Sequence, residues 1–252
     1  MPFSSRSYVN RYIPSNRFPV GLKWLLIVNT AIFVVSVLVE RQIGPLFDNF
    51  ALVPAQVVRT FAIWQVVTYM FIHVGFMHIL WNMLALWMFG AQLERLWGTP
   101  RFLRFYFACG IFAALTVIAC AYIFGGTNVR TVGSSGAVYG ILVAYGVMFP
   151  DQTILFGFLI PMKSKYFVMI IGGIVFLQSY MATVGGRGTS VAVVAHLGGL
   201  VAGYLLLRGR RLRSQVVQPV TTGYKEWKLR RAKKKFEVYL RKQNSNRDRW
   251  VH

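Results

Sequence analysis

Six long apolar runs constrain this chain more than any other feature. They cover residues of about 21–39, 71–93, 105–124, 134–149, 166–181 and 191–207. A helix needs about 20 mostly apolar residues to cross the hydrocarbon core of a bilayer, which is about 30 Å thick. Only 14% of the residues are charged and 56% are hydrophobic, unlike an ordinary soluble globule. The sequence therefore predicts an all-α, polytopic membrane protein with six spans.

The fourth run, 134–149, is too short to cross a flat bilayer, since roughly 16 residues at 1.5 Å each reach only about 24 Å. It follows the glycines Gly125 and Gly126 and opens on Gly133-Ser134-Ser135-Gly136. Non-helical backbone at membrane depth is tolerated only where it lines water or protein. We therefore expect span four to start inside the membrane, next to a site. The apolar run 153–160 that follows it is predicted to be a connector or an interfacial segment.

The basic residues are distributed unevenly around these runs. With six spans, 24 of the 28 Lys and Arg residues fall on one side: in the leader, at Lys23 just after it, in the loops after spans two and four, and in the tail. Cytoplasmic loops carry the excess of Lys and Arg in membrane proteins. We predict a cytoplasmic basic leader at 1–20, a six-span domain at 21–207 and a basic cytoplasmic tail at 208–252. The first run has no cleavage pattern after it and is predicted to be an uncleaved span.

The tail contains a stripe of apolar residues at helical spacing, set among lysines and arginines: Leu229, Ala232, Phe236 and Leu240. This pattern predicts a basic amphipathic helix that lies on anionic membrane lipid. A solvated tail that only fixes the topology is an equal alternative. Nucleic-acid binding is disfavoured, because the basic segment adjoins a membrane domain.

Polar residues cluster where three spans begin. Spans two, four and six run from outside to inside in this topology, so their N-terminal parts lie together near the outer face. Those parts hold His73, His78, Asn82, Ser134, Ser135 and His196. Ionisable groups in a membrane are costly unless they face a cavity or each other. The sequence therefore predicts a buried functional site there, opening to the outer face.

Ser135 and His196 are suited to nucleophilic chemistry. Free backbone N–H groups at a helix N-terminus can stabilise an oxyanion beside Ser135, and an adjacent imidazole can take the serine proton. Small residues at four-residue spacing let spans four and six approach closely. They are Gly136, Gly140 and Ala144 on span four, with Gly199 and Gly203 on span six.

Three motifs together resemble the signature of the rhomboid intramembrane serine proteases. They are Gly133-x-Ser135-Gly136, Ala195-His196-x-x-Gly199-x-x-x-Gly203 and His73-x-x-x-x-His78-x-x-x-Asn82. The stretch Gly90-x-x-x-Glu94-x-x-x-Gly98 is also similar to the family pattern. The resemblance covers about residues 21–207. It implies a six-helix rhomboid-like bundle that cleaves transmembrane segments of other proteins, and the compact six-span core favours a bacterial plasma membrane.

The resemblance also implies roles for individual residues. Ser135 would be the nucleophile and His196 the general base, while His78, Asn82 and the Ser135 N–H would form the oxyanion hole. Tyr139 would stack against His196. No third triad member is expected, and none of the seven acidic residues falls on the outer part of spans two, four or six.

Further residues are assigned supporting positions by the same resemblance. The glycines Gly133, Gly136, Gly199 and Gly203 would shape the backbone and the helix contact. His73 would lie near the water-accessible mouth without a catalytic role. Substrate would enter between spans two and five, with Trp81 and Phe176 as gate residues. The family often has Trp-Arg where this chain has Trp64-Gln65, so an ion pair made by that arginine is in doubt.

Other interpretations stay open at this point. Ser135 alone could be a helix N-cap, and His78 with Asn82 could join helices by hydrogen bonds. A metal site is disfavoured, because the spacing of His73 and His78 is not the i, i+4 pattern of zinc helices; no metal or cofactor is predicted. The alternative functions are a catalytically silent rhomboid-like protein that binds membrane clients and, with less support, a transporter.

Overall fold

The computed structural model describes residues 18–156, 159–184, 193–208 and Arg231. The elements follow in chain order: α1 (Val20–Asp48), α2 (Pro54–Arg59), α3 (Gln65–Thr68), a 3₁₀ turn (Tyr69–Phe71), α4 (Phe76–Trp97), α5 (Thr99–Phe124), α6 (Ser135–Met148), β1 (Thr153–Phe156), β2 (Ile160–Lys163), α7 (Ser164–Val184) and α8 (Val193–Arg208). The chain divides into two compact units at Leu205–Leu206, and the candidate site lies in the first unit.

Three of the described helices are long and apolar enough to cross a membrane. They lie within Val20–Leu38, Phe76–Trp97 and Thr99–Phe124. Shorter apolar helices cover Ser135–Met148, Ser164–Gln178 and Val193–Arg208. The prediction of a mostly helical membrane protein is confirmed, and the count of six spans stays a prediction. Most of the predicted leader and the predicted tail helix lie outside the described residues.

The predicted start of span two is wrong. Residues Tyr69–Phe71 form a short 3₁₀ turn, and α4 begins only at Phe76. Gly75 precedes α4 with a φ of 84°, a conformation that a right-handed helix cannot contain. His73 therefore lies in the irregular segment before α4 rather than on the helix.

The link between α6 and α7 departs from the all-α prediction. The strands β1 and β2 form an antiparallel hairpin in which Leu155 lies opposite Pro161. The apolar run is too short for a stable helix. A proline has no N–H to donate to a neighbouring strand, so it is tolerated in an edge strand, where one side of the strand has no neighbour. At the base of the hairpin, the Ser164 N–H donates to the Gln152 carbonyl at 2.9 Å. The segment is thus a connector that fixes where α7 begins.

Helix α6 lies at the centre of the bundle. Nearly all of its residues from Gly136 to Gly146 are buried, which explains an apolar sequence without a polar face. The side chains of Ala113 and Cys109 on α5 pack against Gly136 and Gly140. This packing against α5 fixes the position of the N-terminus of α6, where Ser135 lies.

The buried carboxylate of Glu94 joins the ends of α1, α4 and α5. Glu94, near the end of α4, accepts hydrogen bonds from the backbone N–H groups of Gly21 and Leu22 at 2.8 and 2.7 Å. It also accepts one from the Thr99 hydroxyl at 2.5 Å. The first N–H groups of a helix lack partners within the helix, so Glu94 satisfies the start of α1 while holding it against α4 and α5.

Candidate active site

Backbone hydrogen bonds hold the loop before α6 in place at the start of the helix. Its Thr131 exchanges two backbone hydrogen bonds of 2.9 Å with Leu52, and the Gly133 N–H donates to the Tyr69 carbonyl at 2.9 Å. Gly133 has a φ of 108°, which glycine tolerates better than any other residue. Ser134 occupies the N-cap position without a side-chain cap, and Ser135 is the first residue of α6. Ser135 is therefore not the N-cap, contrary to that interpretation of the sequence.

The contact between α6 and α8 depends on glycine. A Cβ atom added to Gly199 would overlap the Gly136 carbonyl, and one added to Gly203 would come within 2.8 Å of the Gly140 carbonyl oxygen. Backbone atoms cannot move aside as a flexible side chain can. These positions bring the two helix backbones together, as the small-residue spacing predicted.

This approach places His196 beside Ser135. The Nε2 atom of His196 lies 2.8 Å from the Oγ atom of Ser135, which is hydrogen-bond distance. The imidazole belongs to the first turn of α8 and the hydroxyl to the first turn of α6. With its proton on Nδ1, the neutral imidazole accepts the serine hydrogen bond at Nε2 and is arranged as a proton acceptor.

The ring of Tyr139 lies against the imidazole ring of His196. Its centroid is 4.5 Å from that of His196, with an interplanar angle of 33°. Tyr139 stands one helical turn after Ser135, so both side chains emerge on the same side of α6. The aromatic contact restricts the imidazole in a site whose lining contains no carboxylate among the described residues.

His78 and Asn82 face this pair from α4. The Asn82 amide donates one hydrogen bond to the His78 carbonyl at 2.8 Å, which leaves its second N–H free of that bond. The His78 ring lies against Gly133, where an added Cβ atom would be only 2.6 Å from its Nε2. Two potential hydrogen-bond donors are thus held on α4, across the cavity from the N-terminus of α6.

These groups surround one cavity of about 600 Å³. Helices α4, α6, α7 and α8 all contribute to its wall. The lining residues include His78, Trp81, Asn82, Ser135, Tyr139, Ile171 and His196. The cavity is mostly apolar, with a few convergent polar groups at one end, which is typical of a ligand or substrate site.

One predicted position differs in the structure, and the gate residues stay a prediction. His73 was expected near a water-accessible mouth, but its side chain is only 5% exposed. The irregular segment before α4 turns it inward, where its Nε2 lies 3.4 Å from the backbone nitrogen of Ser134. Phe176, predicted as a gate residue, is exposed and does not line the cavity, and its role at a gate stays a prediction. Ile171 lines it instead, because five residues along a helix rotate a side chain by about 140°. Trp81 does line the cavity and is 58% exposed.

Gln65 occupies the place where the family often has arginine. Its side chain is buried, accepts the Val53 N–H at 2.9 Å and donates to the Gln56 side chain at 2.6 Å. The neighbouring Trp64 donates to the Asn49 carbonyl at 3.0 Å. Neutral hydrogen bonds therefore organise the loop between α1 and α4 in this chain. These contacts join residues 9 to 15 positions apart in the chain, so no local spacing in the sequence indicates them.

Several known proteins are similar to this chain. A model of the Rhomboid domain matches residues 60–211. The putative rhomboid protease YdcA of Bacillus subtilis is 30% identical over 143 residues, which are 57% of this chain and 65% of that protein. The rhomboid protease GluP of the same organism is 29% identical over 141 residues, 56% of this chain and 25% of that protein. Rhomboid-like protease 3 of Toxoplasma gondii is 24% identical over 208 residues, 80% of this chain and 73% of that protein.

The extent of these matches differs between the relatives. The chain spans less than two thirds of the length of both Bacillus proteins. The family model nevertheless covers more than half of this chain and includes the segments that carry Ser135 and His196. The chain therefore belongs to the rhomboid family.

Proposed function

We propose that this protein is an intramembrane serine endopeptidase that uses Ser135 and His196 as a catalytic dyad. The observation that carries the proposal is the 2.8 Å contact between His196 Nε2 and Ser135 Oγ at the polar end of the cavity. The relatives named as rhomboid proteases support the same reaction class. The substrates would be transmembrane segments of other proteins.

In the first half of the reaction, Ser135 Oγ attacks the carbonyl carbon of the scissile peptide bond. His196 Nε2 takes the hydroxyl proton as the new C–O bond forms. The carbonyl oxygen becomes an oxyanion, which the Ser135 N–H, the Asn82 amide and His78 can stabilise from two sides. The C–N bond then breaks, and the imidazolium gives its proton to the leaving amine.

The second half of the reaction returns the enzyme to its starting state. A water molecule attacks the acyl carbon and gives a proton to His196, a second oxyanion forms, and the C–Oγ bond breaks. The proton returns from His196 to Ser135 Oγ as the new carboxylic acid leaves, and the acid then loses its own proton to water. Tyr139 takes the place that a carboxylate holds in a triad, since ring stacking limits the rotation of His196.

The position of the cavity supports entry of substrate from the side. Its wall includes α4 and α7, and Trp81 and Met77 of α4 are both lining and exposed. A helical substrate hides its carbonyl groups in hydrogen bonds, so the scissile segment must unwind before attack. We propose that an unwound segment enters between α4 and α7. With the basic residues on the cytoplasmic side, the site would open to the outer face of a bacterial plasma membrane.

The test is covalent labelling with a fluorophosphonate probe, which needs no knowledge of the natural substrate. The folded wild-type protein in detergent should label, and Ser135→Ala should not. His196→Ala should label far more slowly, because the serine loses its base. Loss of labelling in wild type, or labelling that survives Ser135→Ala, would overturn the assignment. Tyr204→Phe, on α8 but outside the cavity lining, is a matched control that should label like wild type.

A further inference from the structure

A second group of polar side chains lies behind the cavity wall. His73, Tyr106 and Ser134 are buried, with 5%, 0% and 0% of their surface exposed, and none of them lines the cavity. The Tyr106 hydroxyl lies beside the Ser134 side chain. Burying polar groups is costly unless they are hydrogen-bonded. None of these three residues takes part in the proposed reaction.

The contact between His73 and Ser134 has a defined direction. A backbone N–H can only donate, so His73 Nε2 must be the acceptor at 3.4 Å from the Ser134 nitrogen. The imidazole is then neutral and carries its proton on Nδ1. The Ser134 Oγ lies at the same 3.4 Å from Nε2. One acceptor atom of His73 therefore faces both donors of the residue that precedes Ser135.

His73 also touches the opposite wall of the oxyanion site. Its ring meets that of His78 edge to face, with centroids 5.1 Å apart and an interplanar angle of 65°. The His78 ring, in turn, lies against Gly133. A single residue thus contacts both the backbone that leads into α6 and the imidazole that lines the cavity.

We propose that His73 is a positioning residue for the oxyanion site. By accepting the Ser134 N–H it fixes the peptide that leads into Ser135, and with it the direction of the Ser135 N–H. By its ring contact it holds His78 on the facing wall. The inference rests on the proposed function, since it concerns the geometry that stabilises the reaction's oxyanion. His73 then takes no part in making or breaking bonds, but the rate of the reaction depends on it.

Two substitutions separate the hydrogen bond from the ring contact. His73→Gln keeps an acceptor at the position of Nε2, because both side chains place that atom at the same number of bonds from Cα. His73→Phe keeps an aromatic ring against His78 and removes the acceptor. A structural role alone predicts that both variants lose labelling in step with their loss of thermal stability. A positioning role predicts that they differ at similar stability.

The experiment measures the second-order rate of fluorophosphonate labelling of the full chain in detergent, together with its melting temperature. We expect His73→Phe to label at least about tenfold more slowly than wild type, because the Ser134 N–H loses its partner. His73→Gln should stay within about threefold of wild type. On a cleavable substrate, the His73→Phe change should appear in kcat with KM nearly unchanged.

Control variants separate this effect from general destabilisation. Ser134→Ala removes the hydroxyl but keeps the N–H, and should label within about threefold of wild type. Asn29→Ala changes a buried polar residue on α1, which contributes no residue to the cavity lining. It should lower the melting temperature without slowing the labelling of the folded fraction.

The outcomes are distinguishable from a failure of the proposed function. If wild type does not label, the protease assignment fails. If wild type labels and folded His73→Phe labels at the same rate, only the positioning role is overturned. If His73→Phe does not fold, His73→Asn replaces it, because its shorter side chain cannot reach Ser134. Equal rates for His73→Asn and His73→Gln would then overturn the inference.

Discussion

The rings of Tyr139 and His196 lie 4.5 Å apart, centroid to centroid, beside the hydrogen bond of 2.8 Å that the Ser135 hydroxyl donates to His196 Nε2. The imidazole is therefore oriented from two sides by neutral groups. A serine protease with a triad uses a carboxylate for the same task. A stacked ring fixes orientation without adding a charge that the membrane would penalise.

The first prediction concerns this ring contact. Tyr139→Leu should lower kcat by about three- to tenfold, since an aromatic pair contributes about 0.5–1.5 kcal/mol. KM should change little, because the imidazole orientation matters for the reaction more than for binding. Tyr139→Phe is the matched control and should keep most of the activity. Steady-state cleavage in proteoliposomes measures both constants, and a Phe variant as slow as the Leu variant would argue for the hydroxyl instead of the ring.

A second prediction tests the approach of α6 and α8. Gly199→Ala should destabilise the fold by about 1–3 kcal/mol, because the new methyl group meets the Gly136 carbonyl and forces the helices apart. The separation should also slow labelling of Ser135. Gly172→Ala on α7 is the control, since nothing lies within 4 Å of its added Cβ atom, and it should be neutral or stabilising. Unfolding in a mixed detergent titration gives the comparison, and equal stability of the two variants would contradict the packing.

The third prediction concerns Glu94. Glu94→Ala should destabilise the protein by several kcal/mol, because the N–H groups of Gly21 and Leu22 lose their acceptor at about 1–3 kcal/mol each. Thr99→Val removes only one hydrogen bond to the carboxylate and should cost less. Thermal unfolding of both variants measures the difference. A Thr99→Val loss as large as that of Glu94→Ala would show that the contact with α1 is unimportant.

The fourth prediction concerns pH. Asp151, at the base of the hairpin, lies 2.8 Å from Lys165 and 3.4 Å from Lys163. Two hydrogen bonds hold the pKa of the Asp151 carboxyl below its ordinary value of 3.8. The one from Lys165 has the larger effect and the one from Lys163 the smaller. A depressed carboxyl pKa adds stability above the unfolded pKa, and that stability is lost as the pH falls through the folded value.

Asp151→Asn should therefore lower the melting temperature slightly at neutral pH, and the difference from wild type should vanish in acid below pH 3.8. Added salt should also reduce the difference, because the pair is exposed and screened. Melting curves of both proteins across the acid range measure it. A difference that is constant with pH would mean that the carboxylate charge does not stabilise the hairpin base.

The sequence predicted best those features that depend on neighbouring residues. The short α6 was recognisable because Gly133 before it and Pro150 after it interrupt a helical run. The facing glycines of α6 and α8 were recognisable from their four-residue spacing. The same glycine patterns predicted that Ser135 and His196 lie close together, because each residue stands in the first turn of a short helix and the two helices pack closely.

Features set by distant contacts could not be predicted in this way. The start of α4 could not be predicted because the segment before it is as apolar as a helix, while the extended backbone of Ile72 and the positive φ of Gly75 interrupt the helix there. The hairpin was missed because short apolar runs are ambiguous between strand and helix. The contact of His73 with Ser134 and the hydrogen bonds of Glu94 with α1 join elements far apart in the chain, so no local spacing indicates these contacts.

The most direct test of the central claim is cleavage of a membrane-spanning peptide. Single-span peptides with small or helix-breaking residues near one membrane face would be co-reconstituted with the full chain in liposomes, and the products identified by mass spectrometry. The account predicts cleavage at one position within or next to the apolar segment, and none with Ser135→Ala. A wild-type protein that binds these peptides and leaves all of them intact, or equal cleavage by Ser135→Ala, would contradict it.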